Sequence, residues 1–270
     1  METANKFETK SNNEPKTQYQ VNPEPEFQAA FDIVPLPSDG LLYPNKKDRI
    51  KVEFLLSRDE NILTSPNLIR SGKILDVLLE RKIKDADIKP EDLLIGDRNA
   101  IMIFLRSTGY GSKYPVKVID PNNGEEFETE VDLSLLKSKS LGATPDENNY
   151  FDFFLPKLKK KIKFRLLTAK LEREIIERVD ALSKLNKNNQ GISNLLTSRL
   201  VQMIQAVEGK TDKIWISQFV DHMPASDSLA LRKYIDKIEP GVDMEYTFTS
   251  PSGNVFKQNV PVNIDFFFPS

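Results

Sequence analysis

Read for hydrophobic alternation, the chain gives no structural signal before Phe31. Met1 to about Ala30 is Asn, Glu, Lys, Gln, Thr and Pro with three isolated aromatics, Phe7, Tyr19 and Phe27. Such a segment cannot bury enough apolar surface to offset its conformational entropy, so residues 1–30 are expected as a disordered arm. From Phe31 to Pro44, short apolar pieces flank the turn signal Ser38-Asp39-Gly40. Ile50-Lys-Val-Glu-Phe-Leu55 then alternates with period two, as a half-buried strand does. Ser57-Arg-Asp-Glu60 fits a capping box, and Ser65-Pro66 fits a second helix start with Leu68, Leu75, Leu78, Leu79 and Ile83 behind it. Pro90-Glu91-Asp92 opens another helix, with acids where the helix dipole favours them. Ala100 to Leu105 is apolar all round and reads as a fully buried helix ended by Gly109-Tyr-Gly111. Strands are predicted at Tyr114–Ile119 and Glu125–Leu133, around the turn Asp120 to Gly124.

Ser134 to Asn149 is polar and rich in turn residues, as a linker is. Strands are predicted again at Tyr150–Leu155 and Ile162–Leu167. Helices follow at about Ala169–Leu185, at Ser193–Glu208 with Leu196, Leu200, Met203 and Val207 on one face, around Trp215, and at Ala225–Ile238. The closing strands are Met244–Thr249 and Val255–Phe268. The order in the two halves is the same: a strand ending in Leu and a hydroxyl residue, then helices, then a hairpin with a Pro-to-Gly tip. Asp97 to Pro121 spans 24 positions, and Asp227 to Pro251 spans 24 as well. The expected fold is therefore α+β, with two tandem related modules at 31–133 and 150–270 joined by 134–149.

Composition narrows the chemistry. The 38 basic and 40 acidic residues give a net charge of -2, where a nucleic-acid binder usually carries a basic excess. With no cysteine and one histidine, His222, thiolate sites, Cys nucleophiles and multi-His zinc sites are excluded. No apolar run approaches the roughly 18–20 residues of a membrane span, so the expectation is a soluble protein of a cytoplasm. The Pro-to-Gly hairpin tips, Pro121 to Gly124 and Pro251 to Gly253, suggest the turn of a zinc knuckle, but Asp120 and Asn123 stand at one and Ser250 and Ser252 at the other. Neutral amide and hydroxyl oxygens are poor zinc ligands without His or thiolate, so no metal and no other cofactor is expected. Asp97 beside Arg98 could form a catalytic pair, yet an acid at a helix start with a local ion pair explains both without chemistry. Lys157 to Lys163 reads as a solvated hairpin end rather than a phosphate site, and His222 as a cation favoured at a helix C-terminus. Phe266 to Phe268 is core strand, contact strip, or both at once on alternating faces.

The run Leu36-Pro-Ser-Asp-Gly-Leu-Leu-Tyr-Pro44 resembles the opening of T4-like bacteriophage baseplate proteins, a hub-associated group. Ile95-Gly-Asp-Arg98, Tyr110-Gly-x-x-Tyr114 and Phe266-Phe-Phe-Pro269 extend the resemblance over most of 31–133 and more loosely over 150–270. Relatives in that group often carry Cys pairs at the hairpin tips. This chain has none, so the resemblance implies tips kept as scaffold. It further implies a non-enzymatic structural or assembly component of the central region of a contractile-tail baseplate. The partners would be other baseplate or tail subunits, met in the host cytoplasm and then in the virion tail. An assembly chaperone absent from the mature particle, and a degenerate zinc-ribbon nucleic-acid module, are the alternatives. Partner-binding candidates are Phe7, Tyr19 and Phe27 of the arm with Phe266 and Phe268 of the terminal run.

Overall fold

The computed structural model describes residues 29–185, 194–260 and 264–267. Alternation decides its first hairpin. β1 (Phe31–Pro35) pairs antiparallel with β2 (Arg49–Glu53), placing Val34 opposite Ile50, and Ile50 and Val52 are fully buried. Three short helices follow, α1 (Ser57–Leu63), α2 (Pro66–Ser71) and α3 (Ile74–Lys82). The long α4 (Ile95–Tyr110) then ends at Gly111, whose positive φ of 87° suits glycine. It leads into the hairpin of β3 (Lys113–Ile119) and β4 (Glu126–Asp132). In β3 every second residue, Tyr114, Val116 and Val118, points into the core.

The C-terminal half begins with β5 (Ser138–Lys139), β6 (Phe151–Leu155) and β7 (Lys160–Phe164). After them come α5 (Ala169–Leu185), α6 (Leu195–Met203), β8 (Ile204–Val207), α7 (Lys213–Asp221) and α8 (Ala225–Ile238). The last strands are β9 (Gly241–Val242), β10 (Glu245–Thr249) and β11 (Val255–Asn259), with a 3-10 turn at Ile264–Phe267. β6, β7 and β8 make an antiparallel sheet in that order, β10 and β11 a hairpin, and β5 pairs with β9. The class is mixed α+β with short antiparallel sheets. The expected linker touches both halves: Gly142 N–H donates to the Ile238 carbonyl at 2.8 Å, while Asn149 Nδ2 donates to the Leu42 carbonyl at 3.2 Å.

Local expectations shift in several places. The single helix expected from Ser65 to Ile83 breaks at Gly72, whose φ of 66° ends α2 before α3 begins. The helix expected over Ser193–Glu208 stops at Met203, because Ile204 and Val207 pair with Phe164 and Ile162 of β7. A place on a buried sheet suits those β-branched side chains better than another helical turn. The strand expected over Val255–Phe268 ends at Asn259, two residues before Pro261, which has no N–H to extend a ladder. Helix α1 starts at Ser57 itself with Leu56 as cap residue, and Asp59 rather than Glu60 closes it by accepting from Leu56 N at 2.8 Å. Asp59 is fully buried and pairs with the equally buried Lys82, whose ammonium also donates to the Phe54 carbonyl at 2.8 Å. Pro90–Asp92 makes only a 3-10 turn.

One continuous set of buried apolar residues runs from Val34 to Phe267, spanning both halves. Two polar links and one close backbone approach cross it. Asp76 of α3 takes Arg98 of α4 at 2.8 Å and Arg173 of α5 at 2.6 Å. Ala169 N–H donates to the Leu93 carbonyl at 2.9 Å. Gly96 lies against the chain entering β9 so closely that a Cβ there would sit 1.9 Å from the Pro240 carbonyl oxygen and 2.7 Å from Gly241 Cα. No rotamer change can relieve a backbone clash of that size. Gly96→Ala is therefore expected to lower unfolding free energy by about 3 kcal/mol in urea titration, while Glu80→Ala on exposed α3 surface stays within about 0.5 kcal/mol of the native chain.

Candidate functional site

The motifs singled out in the sequence form two internal clusters. Leu36 to Pro44 is a tight loop in which Gly40 has φ of 69° and lies against Lys47. Its Ser38 N–H donates to Asp97 Oδ1 at 2.9 Å and its Tyr43 hydroxyl to Asp97 Oδ2 at 2.5 Å. The same hydroxyl accepts from Leu94 N–H at 2.8 Å. Asp97 is the third residue of α4, not its cap, and is fully buried. Burial pushes its carboxyl above the usual range, with the bonds from Ser38 and Tyr43 opposing. Burial and the neighbouring Asp97 push the Tyr43 hydroxyl up too, so it stays protonated and donates. The acid and Arg98 do not pair: Arg98 turns to Asp76, which answers the local-pair expectation in the negative. Asp97 thus fastens a loop and faces no solvent.

The second cluster surrounds Arg106, which is 1% exposed. Its guanidinium donates to the carbonyls of Gly111 at 2.7 Å and Lys113 at 3.1 Å and lies 5.5 Å and 5.8 Å from the ring centres of Tyr110 and Tyr114. Tyr114 meets Phe266 edge-on at 4.9 Å, and Phe266 meets Phe267 at 5.4 Å. Phe266 is therefore core, with no exposed surface to offer a partner, because the 3-10 turn folds it inward where a strand would have alternated. Phe7, Tyr19, Phe27 and Phe268 lie outside the described residues. His222 caps the end of α7, its Nδ1 2.7 Å from the Gln218 carbonyl oxygen.

The hairpin tips meet each other, which the sequence reading did not foresee. Asp120 Oδ2 accepts from Ser252 Oγ at 3.0 Å, and Asp120 Oδ1 accepts from Asn254 Nδ2 at 2.8 Å and from Asn122 N–H at 2.9 Å. Ser250 Oγ lies 2.8 Å from Ser252 Oγ. Behind the tips, Phe127 packs edge-on to Phe256 at 6.3 Å. An acid at one tip and hydroxyl and amide donors at the other were the available signal. Both carboxylate oxygens of Asp120 are occupied by donors, and among the described residues no group of three or more His, Cys, Asp or Glu side chains is placed to hold a metal ion. A cleft of about 390 Å³ between α5, α6 and α8 is lined by Leu196, Leu200 and Met203 together with Glu172, Arg199 and Glu239. Arg199 pairs there with Glu172 at 2.9 Å, and burial pushes the Glu239 carboxyl up. The cleft presents no hydroxyl, thiol or imidazole; its ionisable lining is Glu172, Asp236 and Glu239 with Arg199 and Arg232.

The Ser250 hydroxyl, the Asn122 amide and the Asn254 and Ser252 side chains hold the Asp120 carboxyl down at about 2. A carboxyl depressed by folding adds stability above its ordinary range and loses it as pH falls toward the folded value. Between pH about 5 and about 3, the native chain is expected to lose more thermal stability than Asp120→Asn, whose side chain has no proton to gain. Parallel melting curves for the two proteins would contradict that role for the carboxylate.

No helix among the described residues is long and apolar enough to cross a membrane. Searches among curated proteins and among solved structures each find no match. A family model described as T4 bacteriophage base plate protein matches residues 43–268, from Tyr43 through both clusters and both tips to the terminal aromatic run. The chain belongs to the T4 bacteriophage base plate protein family.

Proposed function

We propose that the chain is a structural or assembly component of the central hub region of a contractile-tail baseplate and acts by protein–protein contact rather than by catalysis. The observation that carries this is where its motif side chains go. Asp97, Tyr43, Arg106, Tyr114 and Phe266 are all consumed in holding loop to helix and helix to tail, and Asp97 and Arg98, the one candidate catalytic pair, point apart. Family membership supplies the setting, since a baseplate protein works among other baseplate and tail subunits.

In this proposal residues 31–133 and 150–270 are two related modules. Supporting it, Asp97 and Asp227 are each the third residue of a helix and each fully buried. Asp227 accepts from Lys157 N and Leu158 N at 2.7 and 2.8 Å, as Asp97 accepts from the loop between β1 and β2. Ile101 and Leu105 of α4 and Leu231 and Ile235 of α8, at matching steps from those acids, are buried. Pro121 and Pro251 both lie between the strands of antiparallel hairpins.

The arm, residues 1–30, serves as the docking element, with Phe7, Tyr19 and Phe27 as anchors worth about 1.5–3 kcal/mol each before ordering costs. Phe268, adjacent to the buried Phe267, is the remaining candidate contact. Deleting residues 1–28 is expected to leave the melting temperature unchanged and to weaken co-purification with tail subunits from a host expressing the tail genes. An arm-less chain that co-purifies as well as the full one refutes the docking role. A full chain that captures no tail subunit and contributes nothing to tail yield refutes the proposed function.

A further inference from the structure

Two hairpins that pack one face on the core carry opposite charge on their exposed residues. The β6–β7 hairpin carries Lys157, Lys159, Lys160, Lys161, Lys163 and Arg165 against the single acid Asp152. Lys161 and Lys163 pair with Asp152 and Asp146, while Lys157, Lys159 and Lys160 form no ion pair among the described residues. The amides of Lys157 and Leu158 are already given to Asp227, which removes the backbone donors that a phosphate would need here. The β3–β4 hairpin exposes Glu125, Glu126, Glu128 and Glu130 against Lys113 and Lys117, and Glu125 and Glu126 form no ion pair among the described residues.

Each hairpin also shows water one large apolar side chain on its outer face. Phe154 is 55% exposed and stands opposite Lys161, and Ile119 is 56% exposed and stands opposite Glu126. An apolar residue framed by lysines on one prong matches an apolar residue framed by glutamates on the other. Both are exposed within one copy, so they do not cover each other there.

We propose that the basic β6–β7 prong of one copy docks on the acidic β3–β4 prong of a second copy, burying Phe154 against Ile119. Such a contact joins two different surfaces, so it is head-to-tail and either closes into a ring or continues as a chain. Two-stranded faces bury less than a standard interface, which makes the association weak, dependent on concentration and sensitive to salt. The proposal goes beyond the function above. A chain that docks by its arm and never self-associates leaves that function standing and overturns this contact.

Sedimentation equilibrium of the full-length chain tests it. The average mass should rise with protein concentration at low salt and return to that of the monomer at high salt. Lys159→Glu/Lys160→Glu alone, and Glu125→Lys/Glu126→Lys alone, should each stay monomeric, because each sets like charge against like. An equimolar mixture of the two variants should associate again, since reversed prong then meets reversed prong. That recovery also shows both variants to be folded. A native chain that stays monomeric at every concentration, variants that associate as the native chain does, or a mixture that stays monomeric each overturn the proposal.

Discussion

A carboxylate buried away from water must be met by donors or it destabilises whatever buried it, and Asp97 is met by a loop almost sixty residues upstream. Ser38 and Tyr43 satisfy its two oxygens, and its place in the first turn of α4 adds the positive end of the helix dipole. Tyr43 is fixed in turn by Leu94 N–H. On the other side of the same turn, the absent side chain of Gly96 lets Pro240 and Gly241 approach. One helical turn therefore holds the N-terminal loop and the strand that closes the C-terminal half. At the far end of α4, Arg106 collects Gly111, Lys113 and the rings that reach Phe266. The halves share a core because a single helix is anchored at both ends.

This accounts for why short motifs scattered over the chain are informative as a set. Leu36–Pro44 and Ile95–Arg98 are the two sides of one buried contact, and Tyr110–Tyr114 and Phe266 are the two sides of another. A change on either side leaves a polar group or a ring without its partner. Asp227, set on the amides of Lys157 and Leu158, repeats the first arrangement with backbone donors alone and no tyrosine.

Elements ruled by local pattern were legible in the sequence. α8 runs over Ala225–Ile238 as expected, and β3 follows from strict alternation. Elements decided by distant partners were not. Ile204 to Val207 continue a helical pattern, yet β7 offers them a strand to pair with, and periodicity carries no information about that offer. Ser57 has the form of a cap, but the acid that closes α1 is the one Lys82 holds inside, Asp59. The terminal phenylalanines are as aromatic in a core as at an interface, and only the fold of the 3-10 turn assigns Phe266 inward. The tip contact joins residues more than 130 positions apart, so neither hairpin alone suggests it.

The same hairpins show how the molecule divides its surface. Their inner sides are committed: Asp120 to Ser252 and Asn254, Phe127 to Phe256, Asp227 to the turn of β6 and β7. Those ties limit how far a prong can move, so its outer side is presented with little left to order when something binds. A net charge of only -2 conceals a local separation, with a cluster of lysines on one prong and a cluster of glutamates on another. Charge arranged in this way steers an encounter and rejects the wrong face, while a single exposed Phe154 or Ile119 adds a small apolar centre. A protein that turns Tyr43, Asp97, Arg106, Tyr114 and Phe266 inward can still be selective outside, provided its rigid edges differ in sign.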